Sequence, residues 1–194
     1  MILGNADEEV VDAEAPRDYR TEFERILHDI DKWTLSQLSS NEVEFIRKFK
    51  PTIEIPLLEG KTLLCFHGSP RSNREGIFPT SSDEQLTDIF ANVKATIMGC
   101  GHTHTQMFRR YLDRIIVNPG SVGMPFQFAT LEASRRKEGY NPAFAEYVIL
   151  DYANDSEMNF RMCRAAVDLD KLVLSIRNSG MPHPEFAAKD WRKV

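Results

Sequence analysis

The chain has 194 residues, a length that fits one domain with a sizeable hydrophobic core. Hydrophobic residues make up 42% of it and charged residues 27%, as in an ordinary soluble globular protein, and no apolar run approaches the ~20 residues of a membrane span. The formal net charge of -5 argues against non-specific binding to nucleic acid or to an anionic membrane. The cysteines, Cys65, Cys100 and Cys163, are odd in number and lie in apolar stretches, which favours free thiols and a cytoplasmic location.

The N-terminal quarter is predicted to be mainly helical. Met1 to Leu3 is typical of the end of a buried strand, and a loop with an acidic stretch over residues 7–14 is expected to follow. Apolar residues at helical spacing then predict an amphipathic helix over roughly residues 17–32. Ser39 and Glu42 have the spacing of a capping box and predict the start of a second helix.

The pattern changes to strands after residue 52. Apolar residues alternate from Ile53 to Leu57, and Thr62 to Phe66 is a continuous apolar strand. Ser82 and Gln85 predict the start of a further helix, and Ala95 to Met98 reads as the next strand. A strand, a helix and a strand in this order predict an α/β fold with a partly parallel sheet covered by helices.

The C-terminal part is predicted to contain β-hairpins and one helix, all within a single domain over residues 1–194. No clear signal covers residues 182–194. The predicted strands are Gln106–Leu112, Arg114–Val117, Ala145–Tyr152 and Glu157–Ala166, and a helix from about Leu169 ends at Gly180.

Three loops with potential metal ligands follow predicted buried strands. They read Gly4-Asn5-Ala6-Asp7, His67-Gly68-Ser69-Pro70 and Gly101-His102-Thr103-His104. Strand ends in an open α/β sheet are where ligand sites form, and imidazole binds zinc, iron and nickel well. Each motif alone is weak, because a single histidine after a strand is more often a structural residue. The two other histidines, His28 and His183, are expected to be surface residues without a role.

The joint order of these loops, followed by Asn118-Pro119-Gly120-Ser121-Val122-Gly123, resembles the calcineurin-like phosphoesterase (metallophosphoesterase) superfamily. The likeness runs from Met1 to about Pro125 and is strongest to the small bacterial and archaeal branch labelled phosphodiesterase or diadenosine tetraphosphatase-like. It implies a four-layer α/β/β/α sandwich. It also implies hydrolysis of a phosphomonoester or phosphodiester by a metal-bound hydroxide at a dinuclear centre of Mn, Fe, Zn or Ni.

The resemblance assigns metal-ligand positions residue by residue. Asn5, His67 and His102 match the ligands of the second ion, and His104 matches a ligand of the first. Ala6 stands where many members have a histidine that assists the leaving group, so no catalytic residue is assigned there.

Three further residues are implied around that site. Asn118 and Ser121 would support it from beneath by hydrogen bonds, although their loop reads equally well as a tight Pro-Gly turn between strands. Arg71 is a candidate for contact with the substrate phosphate, and the sequence leaves open whether Arg74 or Arg109 makes that contact instead. The partner expected is a small-molecule phosphoester, with a nucleotide as one candidate, and neither a membrane nor a nucleic acid.

The family's first two motifs, Asp-X-His and Gly-Asp-X-X-Asp, are absent from this sequence. The expectation is therefore a fold that lacks its first βαβ unit and an N-terminally truncated chain with weak or no activity of its own. The alternatives are a non-catalytic binding or regulatory domain, or a soluble α/β domain with structural histidines. Loss of central strands also predicts self-association through an exposed sheet edge at Thr62–Phe66 or Ala95–Met98.

Overall fold

A five-stranded mixed sheet forms the centre of the structure, a computed structural model that describes residues 1–128, 139–154 and 156–193. The strand order is β1-β2-β3-β5-β4, and β2, β3 and β5 run parallel to one another. Their carboxyl ends therefore meet at one edge, which brings together the loops that begin at residues 67, 100 and 119. The strands are β1 (Thr52–Pro56), β2 (Thr62–Phe66), β3 (Ile97–Gly99), β4 (Met107–Tyr111) and β5 (Arg114–Asn118).

Helices precede this sheet, interrupt it and follow it, so the predicted α/β class is confirmed. Both predicted capping boxes are present: the Ser39 hydroxyl accepts from the Glu42 N–H at 3.4 Å, and the Ser82 hydroxyl accepts from the Gln85 N–H at 3.2 Å. The helices in the described ranges are α1 (Asn5–Val11), α2 (Glu22–Gln37), α3 (Ser40–Ile46), α4 (Asp83–Ile89), α5 (Leu169–Asn178) and α6 (Pro184–Ala188). None of them is both long and apolar enough to cross a bilayer.

The main core packs α4 and its flanking loops against the sheet. Leu86 and Ile89, three residues apart on α4, are both buried, as helical spacing requires for one face. The same cluster contains Phe66 from β2, Met98 from β3 and Ile116 from β5, so it anchors all three parallel strands. The loops at the carboxyl ends of these strands are therefore supported by the hydrophobic core.

A long hairpin and a small second sheet complete the described fold. The predicted strands at 145–152 and 157–166 form the antiparallel pair β8 (Phe144–Asn154) and β9 (Glu157–Ala166). Together with the five-stranded sheet this hairpin lines an apolar cavity of about 430 Å³. Within the stretch that gave no signal in the sequence, residues 184–188 form α6 and residues 191–192 form a short strand. The second sheet has the order β10-β7-β6, with β6 (Gln127–Phe128), β7 (Gly139–Pro142) and β10 (Trp191–Arg192).

Two N-terminal predictions were wrong in detail. The helix expected over residues 17–32 begins at Glu22, because the Thr21 side chain accepts from the Glu24 N–H at 3.1 Å and so caps it there. Residues 5–11, expected to lie in a loop, form α1. Its start is stabilised by the Asp7 carboxylate, which accepts from the Gly4 N–H at 2.8 Å.

The predicted exposed sheet edge was also wrong. β2 pairs with β1 on one side and β3 on the other, and β3 lies between β2 and β5. The edges of this sheet are therefore β1 and β4. Met1–Leu3 lies beside Lys50, whose carbonyl accepts from the Leu3 N–H at 2.8 Å. Self-association itself stays a prediction.

Candidate functional site

Three of the four predicted ligand side chains meet at the carboxyl edge of the parallel strands. The amide oxygen of Asn5, in the first turn of α1, lies 2.9 Å from His67 Nε2 and 3.0 Å from His102 Nδ1. The two imidazole rings stand edge to face, with centroids 5.3 Å apart. Asn5, His67 and His102, referred to below as the His-Asn cluster, thus unite three distant parts of the chain.

The two histidine loops are joined by a main-chain hydrogen bond, and one of them contains left-handed backbone. The Gly101 N–H donates to the His67 carbonyl at 2.6 Å, which ties the loop after β3 to the loop after β2. His102 and His104 both have left-handed backbone, with φ of 63° and 55°. Such a conformation costs a non-glycine residue ~1–3 kcal/mol and is concentrated at functional sites, so this loop is held by its surroundings.

Asn118 is the residue that holds the histidine loop from the core side. It is fully buried at the end of β5, and its amide nitrogen donates to the Gly101 carbonyl at 2.8 Å and to the Thr103 hydroxyl at 3.0 Å. Its amide oxygen accepts from the Gly120 N–H at 2.9 Å. Gly120 has a φ of 82°, a left-handed backbone that suits glycine, and the same asparagine joins the two loops.

His104 lies near the cluster but is bonded elsewhere. Burial lowers its pKa, and a hydrogen bond to the main chain of Met124 partly offsets that decrease. The Ser121 hydroxyl in turn accepts from the Met124 N–H at 3.0 Å. Ser121 therefore reaches His104 only through the main chain of Met124. It forms no hydrogen bond with Asn5, His67 or His102.

The cluster is electrically neutral. Burial is the first cause that lowers the pKa of His67, and the neighbouring His102 and His104 lower it further, while Asp7 opposes them. Burial also lowers the pKa of His102. Neutral imidazole is the form that binds a metal, so neither ring carries a charge that would repel a cation.

The donor set fits one divalent ion better than two. Two imidazoles and an amide oxygen suit a single transition ion. The carboxylate of Asp7 is directed to the start of α1, and nowhere in the described ranges do three His, Cys, Asp or Glu side chains come close enough to hold a metal. Among the described residues, no carboxylate hydrogen-bonds the side chains of the cluster.

The family model described as the calcineurin-like phosphoesterase superfamily domain matches residues 1–136. The chain belongs to the calcineurin-like phosphoesterase superfamily. No curated protein matches it. Among solved structures, hypothetical protein PH1004 from Pyrococcus horikoshii OT3 is similar at 16% identity, with a TM-score of 0.72 over 97% of this chain and 70% of that one. A metallophosphoesterase from Sphaerobacter thermophilus is similar at 18% identity, with a TM-score of 0.65 over 96% of this chain and 74% of that one. These likenesses show a shared fold.

Within this phosphoesterase fold, Arg74 and not Arg71 flanks the cluster. The Arg71 guanidinium makes two hydrogen bonds to Glu75, at 2.8 and 2.6 Å, and an ion pair with Asp88 at 2.8 Å, away from the histidines. The main chain of Arg74 hydrogen-bonds the His102 ring, and its guanidinium pairs with Glu9 at 2.6 Å. Contact between Arg71 and a substrate phosphate stays a prediction, and the contacts that Arg71 makes in the structure are with Glu75 and Asp88.

The prediction that His28 is a surface residue was wrong. It is 2% exposed, its ring lies 5.5 Å from that of Tyr19, and its Nδ1 atom has no hydrogen-bond partner within residues 1–128, 139–154 and 156–193. Apolar periodicity did not mark it, because His28 shares its helix face with Glu24 and Asp31. His183, also expected at the surface, is half-buried, and its Nε2 lies 2.8 Å from an oxygen of Asp29.

Proposed function

We propose that the chain contributes part of the metal site of a hydrolase that cleaves phosphomonoesters or phosphodiesters. The observation that carries this proposal is the convergence of His67 and His102 on the Asn5 amide oxygen, at 2.9 and 3.0 Å. Membership in the calcineurin-like phosphoesterase superfamily supports metal-dependent phosphoester hydrolysis as the activity. Asn5, His67 and His102 would hold one ion of Mn, Fe, Zn or Ni, and His104 would serve a second.

A divalent ion would supply a positive charge that neutralises the phosphate and activates water. The protein's own contribution is to orient two neutral imidazoles, of which His102 lies on a strained loop, and to place the Arg74 guanidinium beside His102. Ala6 offers no proton for a leaving group. We therefore expect a strong preference for esters whose alcohol leaves without protonation, such as aryl phosphates.

The metal affinity of this chain is expected to be low. All four proposed ligands are neutral, and without a carboxylate nothing offsets the charge of a dication. We expect at most about one ion per chain, bound weakly, and little or no turnover by the 194 residues alone. Carboxylates supplied from another polypeptide segment would complete the site.

Calorimetric titration with Mn²⁺ or Zn²⁺ tests the metal assignment. His102→Ala should abolish the binding heat of the wild-type chain. His183→Ala, which removes a histidine bonded to Asp29 far along the chain from the cluster, should leave it unchanged. Two tight sites, or equal binding by His102→Ala and wild type, would overturn the assignment.

Turnover of an aryl phosphodiester with and without Mn²⁺ tests the activity. Any metal-dependent rate should disappear in His67→Ala and persist in His183→Ala. Robust turnover that survives His67→Ala would place the chemistry elsewhere in the molecule.

A further inference from the structure

A second cavity, of about 300 Å³, adjoins the His-Asn cluster on the side of the N-terminal helices. It lies between α1, the connection before α2, and α2 itself. Asn5 and Arg74 line it, and Asn5 also belongs to the cluster. A ligand whose phosphate contacts the cluster can therefore extend its organic part into this cavity.

One residue of the cavity wall has a buried ring nitrogen that finds no hydrogen-bond partner among the described residues. His28 lines the cavity, is 2% exposed, and its Nδ1 makes no hydrogen bond. Burial lowers the pKa of this ring, so it is neutral at pH 7 and presents one donor and one acceptor nitrogen. An unpaired buried polar atom is unfavourable, and a bound ligand is one way to satisfy it.

The remaining walls combine an aromatic surface with an excess of carboxylates. Tyr19 and Leu27 supply the apolar area, and the Tyr19 side chain is accessible, since the residue is 42% exposed. The lining carboxylates are Glu9, Asp18, Glu24 and Asp31, and the lining guanidiniums are Arg17 and Arg74.

Both guanidiniums already pair with Glu9. The cavity is therefore poorly suited to a second phosphate. It suits a neutral group that offers N–H donors and a flat ring.

We propose that this cavity binds the base of a nucleotide phosphoester and favours bases with an exocyclic amino group. The base would stack on Tyr19, direct its amino hydrogens to the carboxylates, and hydrogen-bond His28. The position of the phosphate rests on the proposed function, whereas the recognition of the base does not. Adenine, guanine and cytosine are favoured over uracil, which has no amino group.

Nucleoside binding to the metal-free chain tests the proposal without using the phosphate site. Adenosine and uridine are added to the full 194-residue chain in the presence of a chelator, and amide shifts are followed by NMR. Adenosine should perturb residues of α1, the connection before α2, and α2, and should bind more tightly than uridine. Equal affinity for the two nucleosides, or shifts confined to other parts of the chain, would overturn the proposal.

Three variants separate stacking from a general loss of structure. Tyr19→Ala should weaken adenosine binding about fivefold or more, the lower range for loss of one aromatic stacking partner, and Tyr19→Phe should retain it. Tyr147→Ala on β8 removes a tyrosine of nearly equal exposure, 41%, outside the cavity and should bind like wild type. Unchanged binding by Tyr19→Ala would refute the assignment. A chain that binds adenosine but no metal would retain this inference and lose the proposed function.

Discussion

Replacing Asn118 by alanine tests whether one buried amide holds the histidine loop in place. The change removes three hydrogen bonds, of 2.8, 3.0 and 2.9 Å, to Gly101, Thr103 and Gly120. It leaves the Gly101 carbonyl and the Gly120 N–H without this partner beneath the loop. At ~1 kcal/mol net for each bond, the free energy of unfolding should fall by about 3 kcal/mol.

Urea unfolding followed by circular dichroism measures this loss. With a denaturant slope of ~2 kcal/mol per molar, the midpoint should fall by about 1.5 M. Asn154→Ala is the matched control, because Asn154 also makes three hydrogen bonds, in the exposed turn between β8 and β9. It should lose less than ~1 kcal/mol, since water replaces its bonds. Equal losses in the two variants would refute the view that Asn118 is the support of the loop.

Two further changes probe the surroundings of the site by urea unfolding. Gly120→Ala combines a φ of 82° with a Cβ that would stand 2.1 Å from a Glu146 oxygen, whereas Gly180→Ala has a φ of 78° and open space around it. Gly120→Ala should therefore lower the free energy of unfolding by ~2 kcal/mol or more, and Gly180→Ala only by the ~1 kcal/mol of backbone strain. Equal losses in the two variants would contradict the proposed clash. Burial, and to a lesser degree the nearby Glu9, raises the pKa of Asp31 to about 6. The protonated carboxyl is therefore favoured in the folded state. Its full contribution to stability is present below pH ~4, the ordinary pKa of the group, and is lost as the pH rises through about 6. Asn cannot ionise, so Asp31→Asn should raise the free energy of unfolding by ~1 kcal/mol at pH 8, after solvent screening, and should leave it unchanged at pH 4. A gain at pH 4 larger than the gain at pH 8 would contradict this.

Local sequence patterns predicted individual elements well where the cause of the element is local. The apolar run Thr62–Phe66 is β2 with the same bounds, and the Ser39–Glu42 and Ser82–Gln85 spacings mark real helix starts. These features depend on residues within one or two turns of each other. The same applies to the hairpin of β8 and β9, where alternation and a turn signal suffice.

Features that depend on distant partners were predicted poorly. The burial of His28 follows from packing against Tyr19, and no pattern in α2 contains it. Thr62–Phe66 was expected at an exposed edge because the family's first strands are missing from this sequence, but β1 pairs with it on one side and β3 on the other.

The candidate site was also predictable only in part from the sequence. The three loop motifs identified Asn5, His67 and His102 before any geometry was known, and the structure brings these side chains together. Which arginine lies beside them could not be read from the sequence, because Arg71 and Arg74 are three residues apart on one loop. The direction of each side chain depends on its carboxylate partners. Arg71 pairs with Glu75 and Asp88, and Arg74 pairs with Glu8 and Glu9.

The shared oxygen of Asn5 sets hydrogen bonding and metal binding in competition at the two rings. A carbonyl oxygen only accepts hydrogen bonds, so each ring bonds it only in the tautomer whose facing nitrogen, His67 Nε2 or His102 Nδ1, carries the hydrogen. A cation at these nitrogens needs the opposite tautomers, with the hydrogen on the far side of each ring. The His102 ring also has a second hydrogen-bond partner in the main chain of Arg74. A neutral His102 carries only one N–H, so its bonds to Asn5 and to Arg74 compete, and a metal at Nδ1 would replace the first of them.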